Sequence, residues 1–124
     1  ILQHPRDYDV IVTENMFGDI LSDVAAFLVG GLGMLPSGNL GDRHALFEPV
    51  HGSAPKHAGK NTANPVAAIR SGAMLLEHLG DRENAARIEK AIGQTLAAGV
   101  KTRDLGGMAG TREMGDAIIA ALAR

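Results

Sequence analysis

Asp19 and Asp23 stand four residues apart in the stretch 13–23, TENMFGDILSD. On a helix, residues at that spacing project from one face, one turn apart. Two carboxylates held this way where a strand turns into a helix can share one hard cation such as Mg²⁺. They cannot complete an octahedral shell, so water, substrate oxygens or a third carboxylate must contribute. The competing reading is a solvated helix edge. The surroundings weigh against it: Phe17, Ile20, Leu21, Val24, Phe27 and Leu28 make the segment largely apolar. An unpaired carboxylate buried among such neighbours is strongly destabilising, so it calls for a metal or a basic partner.

A second group lies in the run 51–64, HGSAPKHAGKNTAN. Gly52, Ser53, Ala54 and Gly59 are small enough to let a ligand approach the backbone, and Lys56, His57 and Lys60 add positive charge. The helix that follows offers its N-terminus to an anion. An ordinary surface loop is the alternative. The run is not a phosphate-binding P-loop, because Ala54 and Asn61 stand where glycine and Ser or Thr are needed. No G-x-G-x-x-G follows a strand, so the usual dinucleotide fingerprint is absent as well. Glu48 and His51 flank Pro49-Val50 as a third pair, and Asp104 sits in a glycine-flanked loop. Taken singly, each of these reads more simply as a turn residue.

The elements that must position these residues follow from periodicity. Residues 8–13 read as a buried strand, because Val10-Ile11-Val12 is a continuous apolar run. Residues 16–29 read as a helix that is apolar around most of its circumference and needs cover on several sides. The glycines of Gly30-Gly31-Leu32-Gly33 end it. Short extended pieces fill 34–50, with Ala45-Leu46-Phe47 the best strand among them. Asn64 and Pro65 open a helix as N-cap and first residue, and it runs to Leu79. Asp81 caps a third helix reaching about Ala98, with Ile88, Ile92 and Leu96 on its apolar stripe. The polar loop 101–110 leads to a last helix over Thr111–Ala123. The order gives an α/β fold. The strand at 8–13 has no earlier parallel partner, so the chain is expected to be the back part of a longer protein.

Composition excludes several classes of function. A net charge of −2 supplies no basic field for nucleic acid or an anionic membrane, and 3% aromatics leaves few stacking platforms. With no cysteine there are no disulfides and no thiolate metal sites. No apolar run is long enough to span a bilayer and no signal peptide is present, which points to the cytoplasm.

Taken together the motifs become specific. Asp9-Val10-Ile11-Val12-Thr13-Glu14-Asn15, Phe17-Gly18-Asp19-Ile20-Leu21-Ser22-Asp23 and Gly30-Gly31-Leu32-Gly33 come first. Phe47-Glu48-Pro49-Val50-His51-Gly52-Ser53-Ala54-Pro55, Ala58-Gly59-Lys60 and Ala63-Asn64-Pro65 follow in order. This set resembles the C-terminal third of the β-decarboxylating dehydrogenases, which act on 3-isopropylmalate, isocitrate, homoisocitrate and tartrate. The resemblance implies an isopropylmalate dehydrogenase-like fold that binds its dinucleotide without a classical Rossmann domain. It implies that residues 1–29 end a smaller, dimerising domain and that 30–124 belong to a larger, cofactor-binding one. Asp19 and Asp23 match the family's metal aspartates, for Mg²⁺ or Mn²⁺. The segment carrying Gly52, Ser53, Ala54, Lys56 and His57 matches the one that wraps the adenosine half of NAD or NADP. His51 and Asn64 would touch the adenine, Glu48 would lie toward the nicotinamide, and Asp104 would approach the adenosine.

The implied reaction is oxidative decarboxylation of a small 2-hydroxy di- or tricarboxylic acid by a homodimer. 3-Isopropylmalate, the leucine-biosynthesis substrate, comes first among the candidates; isocitrate, homoisocitrate and tartrate follow. Lys56 and His57 replace the aspartate usual after Ser-Ala-Pro in NAD-dependent members, which favours NADP; Ala63 resembles the NAD type. The family's substrate arginines, catalytic Tyr and Lys and third metal aspartate have no counterpart in these 124 residues, so the chain alone is expected to be inactive. A truncated, non-catalytic binding or assembly module is the second reading.

Overall fold

A computed structural model describes residues 1–123. Four helices and one hairpin account for most of the chain: α1 (Asn15–Ala25), β1 (Pro36–Leu40), β2 (Ala45–Pro49), α2 (Val66–His78), α3 (Arg82–Ala97) and α4 (Thr111–Leu122). The architecture is mixed α/β. β1 and β2 pair antiparallel, with Gly38 opposite Phe47. Gly41 N donates to His44 O at 3.0 Å to close their turn. A Cβ at Gly38 would stand 3.2 Å from the Phe47 ring and from the Met74 methyl, so the bare backbone lets the hairpin lie down on α2.

The helix boundaries follow local chemistry. Pro65 has helical backbone angles, and the Asn64 carboxamide oxygen accepts from Val66 N at 3.0 Å, as an N-cap does. Gly80, at φ +92°, turns the chain from α2 into α3. Asp81 then caps α3, accepting from Asn84 N at 3.2 Å and from Asn84 Nδ2 at 2.8 Å. These hydrogen bonds hold the Asp81 carboxyl below its ordinary value, the Asn84 side chain contributing most. α2, α3 and α4 enclose one core of Met34, Val66, Ala91, Ile92, Met114 and Ile118. Fully burying a side chain the size of Ile92 contributes about 1.5–3 kcal/mol. Arg70 adds a tie across the bundle, meeting Glu89 of α3 at 2.9 Å and Met34 O at 3.1 Å.

The N-terminal portion departs from expectation in two ways. Residues 8–13 form no strand: Val10 and Val12 are 81% and 92% exposed. A strand is stable only with a hydrogen-bonded neighbour, and among the described residues none lies beside it. The helix expected over 16–29 is α-helical only from Asn15 to Ala25, then tightens into a 3₁₀ turn over Ala26–Val29. Gly30, at φ +105°, ends that turn in the left-handed conformation natural to glycine, and Gly31 N donates to Ala26 O at 2.8 Å. The apolar set of this segment is exposed rather than covered; only Ala26 is buried.

Asn64 joins three segments. Its Oδ1 caps α2, while Nδ2 donates to Asp104 Oδ2 at 2.9 Å and to the Met34 sulfur at 3.6 Å. Gly33 packs against this junction: a Cβ there would stand 2.9 Å from Asp104 Oδ2 and 3.0 Å from Asn64 Cβ. Asn64 is 9% exposed and committed to three partners, so it cannot yield easily. Gly33→Ala in the complete protein is therefore expected to lower the unfolding free energy by about 1–3 kcal/mol, as for overpacking elsewhere. Urea denaturation measures this, and an unchanged midpoint would show that the junction gives way freely.

Candidate functional site

Two clefts meet along the segment Glu48–Asn64. The first, of about 440 Å³, is lined by Lys56, His57 and Lys60 of the loop and by Arg103 and Asp104. Gly33 and Asn64 also line it. Small residues let the loop fold over so short a span. Ala54 adopts φ +46°, and a 3₁₀ turn follows at Pro55–His57. His57 Nδ1 lies 2.9 Å from Thr62 Oγ1, closing the loop on itself. The Asn64 amide donates to one oxygen of Asp104, and among the described residues the other oxygen has no hydrogen-bond partner.

Lys56, Lys60 and Arg103 against the single Asp104 give this cleft a cationic surplus. It suits the phosphates of a nucleotide, with an acceptor at Asp104 for a hydroxyl or amine. A cofactor that carries phosphates on an adenosine therefore fits the residues present.

The second cleft, of about 550 Å³, is acidic. Asp19 and Asp23 of α1, Glu48 at the end of β2, and Ser37 and Asn39 of β1 line it. The α1 helix delivers both aspartates to one wall, as their spacing requires. No hydrogen bond or ion pair among the described residues engages any of these three carboxylates. Free, hard, anionic oxygens are what Mg²⁺ or Mn²⁺ binds. No cluster of three or more ligating side chains exists among the described residues. The pair fits a divalent cation as a partial ligand set, with the remaining positions open.

The structure thus sorts the residues read from sequence. Ala54, Lys56, His57, Asn64 and Asp104 come together in the cationic cleft. Asp19, Asp23, Glu48 and Gly52 come together in the acidic one. His51 lines both clefts, with its Nδ1 2.8 Å from Gly52 O. Ser53 lines neither. The sequence reading missed Arg103 and Gly33. Arg103 had one signal, its place beside Asp104 in the short turn before the left-handed Gly106. Gly33 had none beyond a glycine-rich helix end.

The family model for isocitrate/isopropylmalate dehydrogenase matches residues 1–118. The isocitrate/homoisocitrate dehydrogenase of Thermus thermophilus is 57% identical over 98% of this chain and 36% of its own length. The 3-isopropylmalate dehydrogenase of Methanothermobacter thermautotrophicus is 56% identical over 92% of this chain and 35% of its own. The crystal structure of isocitrate dehydrogenase from Methylococcus capsulatus superposes with a TM-score of 0.92 at 48% identity, covering 99% of this chain and 37% of that one. The chain spans about a third of the length of the curated relatives it matches. On a family match over nearly its whole length, the chain belongs to the isocitrate/isopropylmalate dehydrogenase family.

Proposed function

We propose that the complete protein catalyses the oxidative decarboxylation of a 2-hydroxy di- or tricarboxylic acid, with NADP as preferred oxidant and Mg²⁺ or Mn²⁺ as metal. The observation that carries this reading is the pair of adjoining clefts, one cationic and one acidic, with His51 lining both. In net terms, hydroxy acid and NAD(P)⁺ become a 2-oxo acid, CO₂ and NAD(P)H. When bound, the cation supplies Lewis-acid polarisation and the nicotinamide a hydride acceptor.

The chain's own residues have assigned parts. Asp19 and Asp23 hold the cation. Lys56, His57, Lys60 and Arg103 bind phosphate, and Asp104 and Asn64 meet the adenosine. Gly52, Ser53 and Ala54 keep the loop thin enough for its backbone to approach the cofactor. Glu48 stands in the acidic cleft, and we assign it to the nicotinamide side. Residues 1–29 belong to a smaller domain and the remainder to a larger one.

Family members named here act on isocitrate, homoisocitrate or 3-isopropylmalate. Met34-Leu35-Pro36-Ser37 resembles isopropylmalate enzymes, so 3-isopropylmalate is the first substrate to assay. Isocitrate or homoisocitrate is the second reading, favoured by the Thermus relative. The exposed apolar face of α1 and the turn after it supports a homodimer, since a patch of Phe17, Ile20, Leu21, Phe27 and Leu28 is large for a free surface.

Three experiments test the reading in the complete protein. Asp19→Asn combined with Asp23→Asn is expected to reduce Mg²⁺-dependent hydride transfer by about a hundredfold or more, since even the outer partners of metal ligands are worth about 10–100-fold. Turnover within a few-fold of wild type would remove the metal assignment. Lys56→Asp places a like charge against a 2′-phosphate and is expected to shift the NADP-to-NAD ratio of kcat/KM toward NAD by at least roughly tenfold. A constant ratio would reject the phosphate role of Lys56. Phe27→Asp is expected to shift the protein toward monomer in analytical ultracentrifugation, and an unchanged sedimentation profile would exclude this face from the interface.

A further inference from the structure

Between His51 and Ala63 the loop of the cationic cleft is tied to the rest of the fold at one place. Thr111 N donates to Asn61 O at 3.1 Å and Arg112 N donates to Asn61 Oδ1 at 2.9 Å. Thr111 Oγ1 donates to Ala63 O at 2.5 Å. Among the described residues the loop's other hydrogen bonds stay within it: His57 N to Ala54 O, Ala58 N to Pro55 O, Lys60 N to His57 O, His57 to Thr62, and His51 to Gly52 O. Every hydrogen bond leaving the loop therefore ends on the first two residues of α4.

These bonds answer a need at both ends. A helix begins with backbone N–H groups that have no partner inside the helix. In α4, Gly110 N is met by Glu113 Oε2 at 2.9 Å, while Thr111 N and Arg112 N are met by Asn61. Asn61 reaches both because its backbone is left-handed, at φ +54°, a region asparagine tolerates better than most residues. The preceding glycine of α4 makes the approach possible, because a Cβ at Gly110 would stand 2.9 Å from Asn61 O.

We propose that Asn61 is a positioning residue for the dinucleotide: it latches the loop bearing Lys56, His57 and Lys60 to the N-terminus of α4. This rests on the dinucleotide reading above. Asn61 itself does not line the cleft, whereas Lys60 and Thr62 on either side of it do. Its effect is therefore on how well the loop is held before the cofactor arrives, which acts on affinity and leaves turnover at saturation alone.

The test uses the complete enzyme with two variants. Asn61→Gly keeps the left-handed backbone and removes Oδ1. Asn61→Asp keeps an acceptor and adds a negative charge, which a helix N-terminus favours. Asn61→Gly is expected to raise the dinucleotide KM roughly tenfold while kcat and the hydroxy-acid KM stay within about twofold, and Asn61→Asp to restore most of the affinity. Gly110→Ala, which displaces Asn61 without altering it, is expected to raise the same KM. Hydrogen–deuterium exchange gives a readout independent of turnover: in Asn61→Gly the amide of Arg112 and those of the loop exchange faster, and in Asn61→Asp they do not. An unchanged dinucleotide KM in Asn61→Gly, or an Asn61→Asp enzyme as impaired as Asn61→Gly, overturns the latch. If the wild-type enzyme shows no dinucleotide-dependent turnover, the functional reading fails by itself. The exchange rates then decide the latch, and unchanged rates overturn it.

Discussion

A buried carboxamide is destabilising unless its donors and acceptor are met, and Asn64 meets them with three different parts of the chain. Its oxygen starts α2, and its nitrogen reaches Asp104 and the Met34 sulfur. The side chain cannot be placed without bringing together the end of the cleft loop, the turn after the first helix and the loop before α4. Each of these segments is irregular, although Met34 and Thr102 bury their side chains. Packing of α2, α3 and α4 around Ile92 and Met114 gives the domain its bulk stability. The Asn64 junction decides where the loops lie on that bundle, and the walls of the cationic cleft are those loops.

How much of this could be read from sequence depended on whether the signal was local. Asn64 and Asp81 were legible as N-caps, because a cap is defined by the two or three residues beside it. Asp19 and Asp23 were legible as a shared helix face, since four-residue spacing is a helical property. Gly80 and Gly99 stop their helices at φ +92° and +84°, as a glycine after an apolar stripe suggests. The strand at 8–13 was misread because an apolar run tells of burial without naming what buries it. Strand pairing is a contact between distant segments, and Val12 has none among the described residues. The hold of Asn61 on α4 was missed for the same reason. Asn61 and Arg112 are 51 residues apart, and no local pattern links an asparagine in a loop to a helix that far along the chain.

The resemblance to a family and the physical reading of the site support one another through different residues. Family membership rests on identity spread over almost the whole chain. The chemical reading rests on two clefts of opposite character that share His51. Phosphate groups favour a cationic wall and a divalent cation favours an acidic one, and a single open pocket of mixed charge would blur both. Lys56, Lys60 and Arg103 line one cleft and Asp19, Asp23 and Glu48 the other, which keeps the fields apart.

That separation also explains why the loop needs a firm anchor. Lys56, His57 and Lys60 are exposed and ride on a segment with little core of its own. Unheld, the loop would lose conformational freedom at the moment of binding, and each ordered residue would weaken the complex. Anchoring through Asn61 and the Ala63 carbonyl rather than through the charged side chains leaves those charges free. The N-terminus of α4 suits this task because its N–H groups must find acceptors in any case, and Asn61 offers two. One set of hydrogen bonds thus completes a helix and holds one wall of a cleft, so the fold of the C-terminal helix and the shape of the cationic cleft are set together.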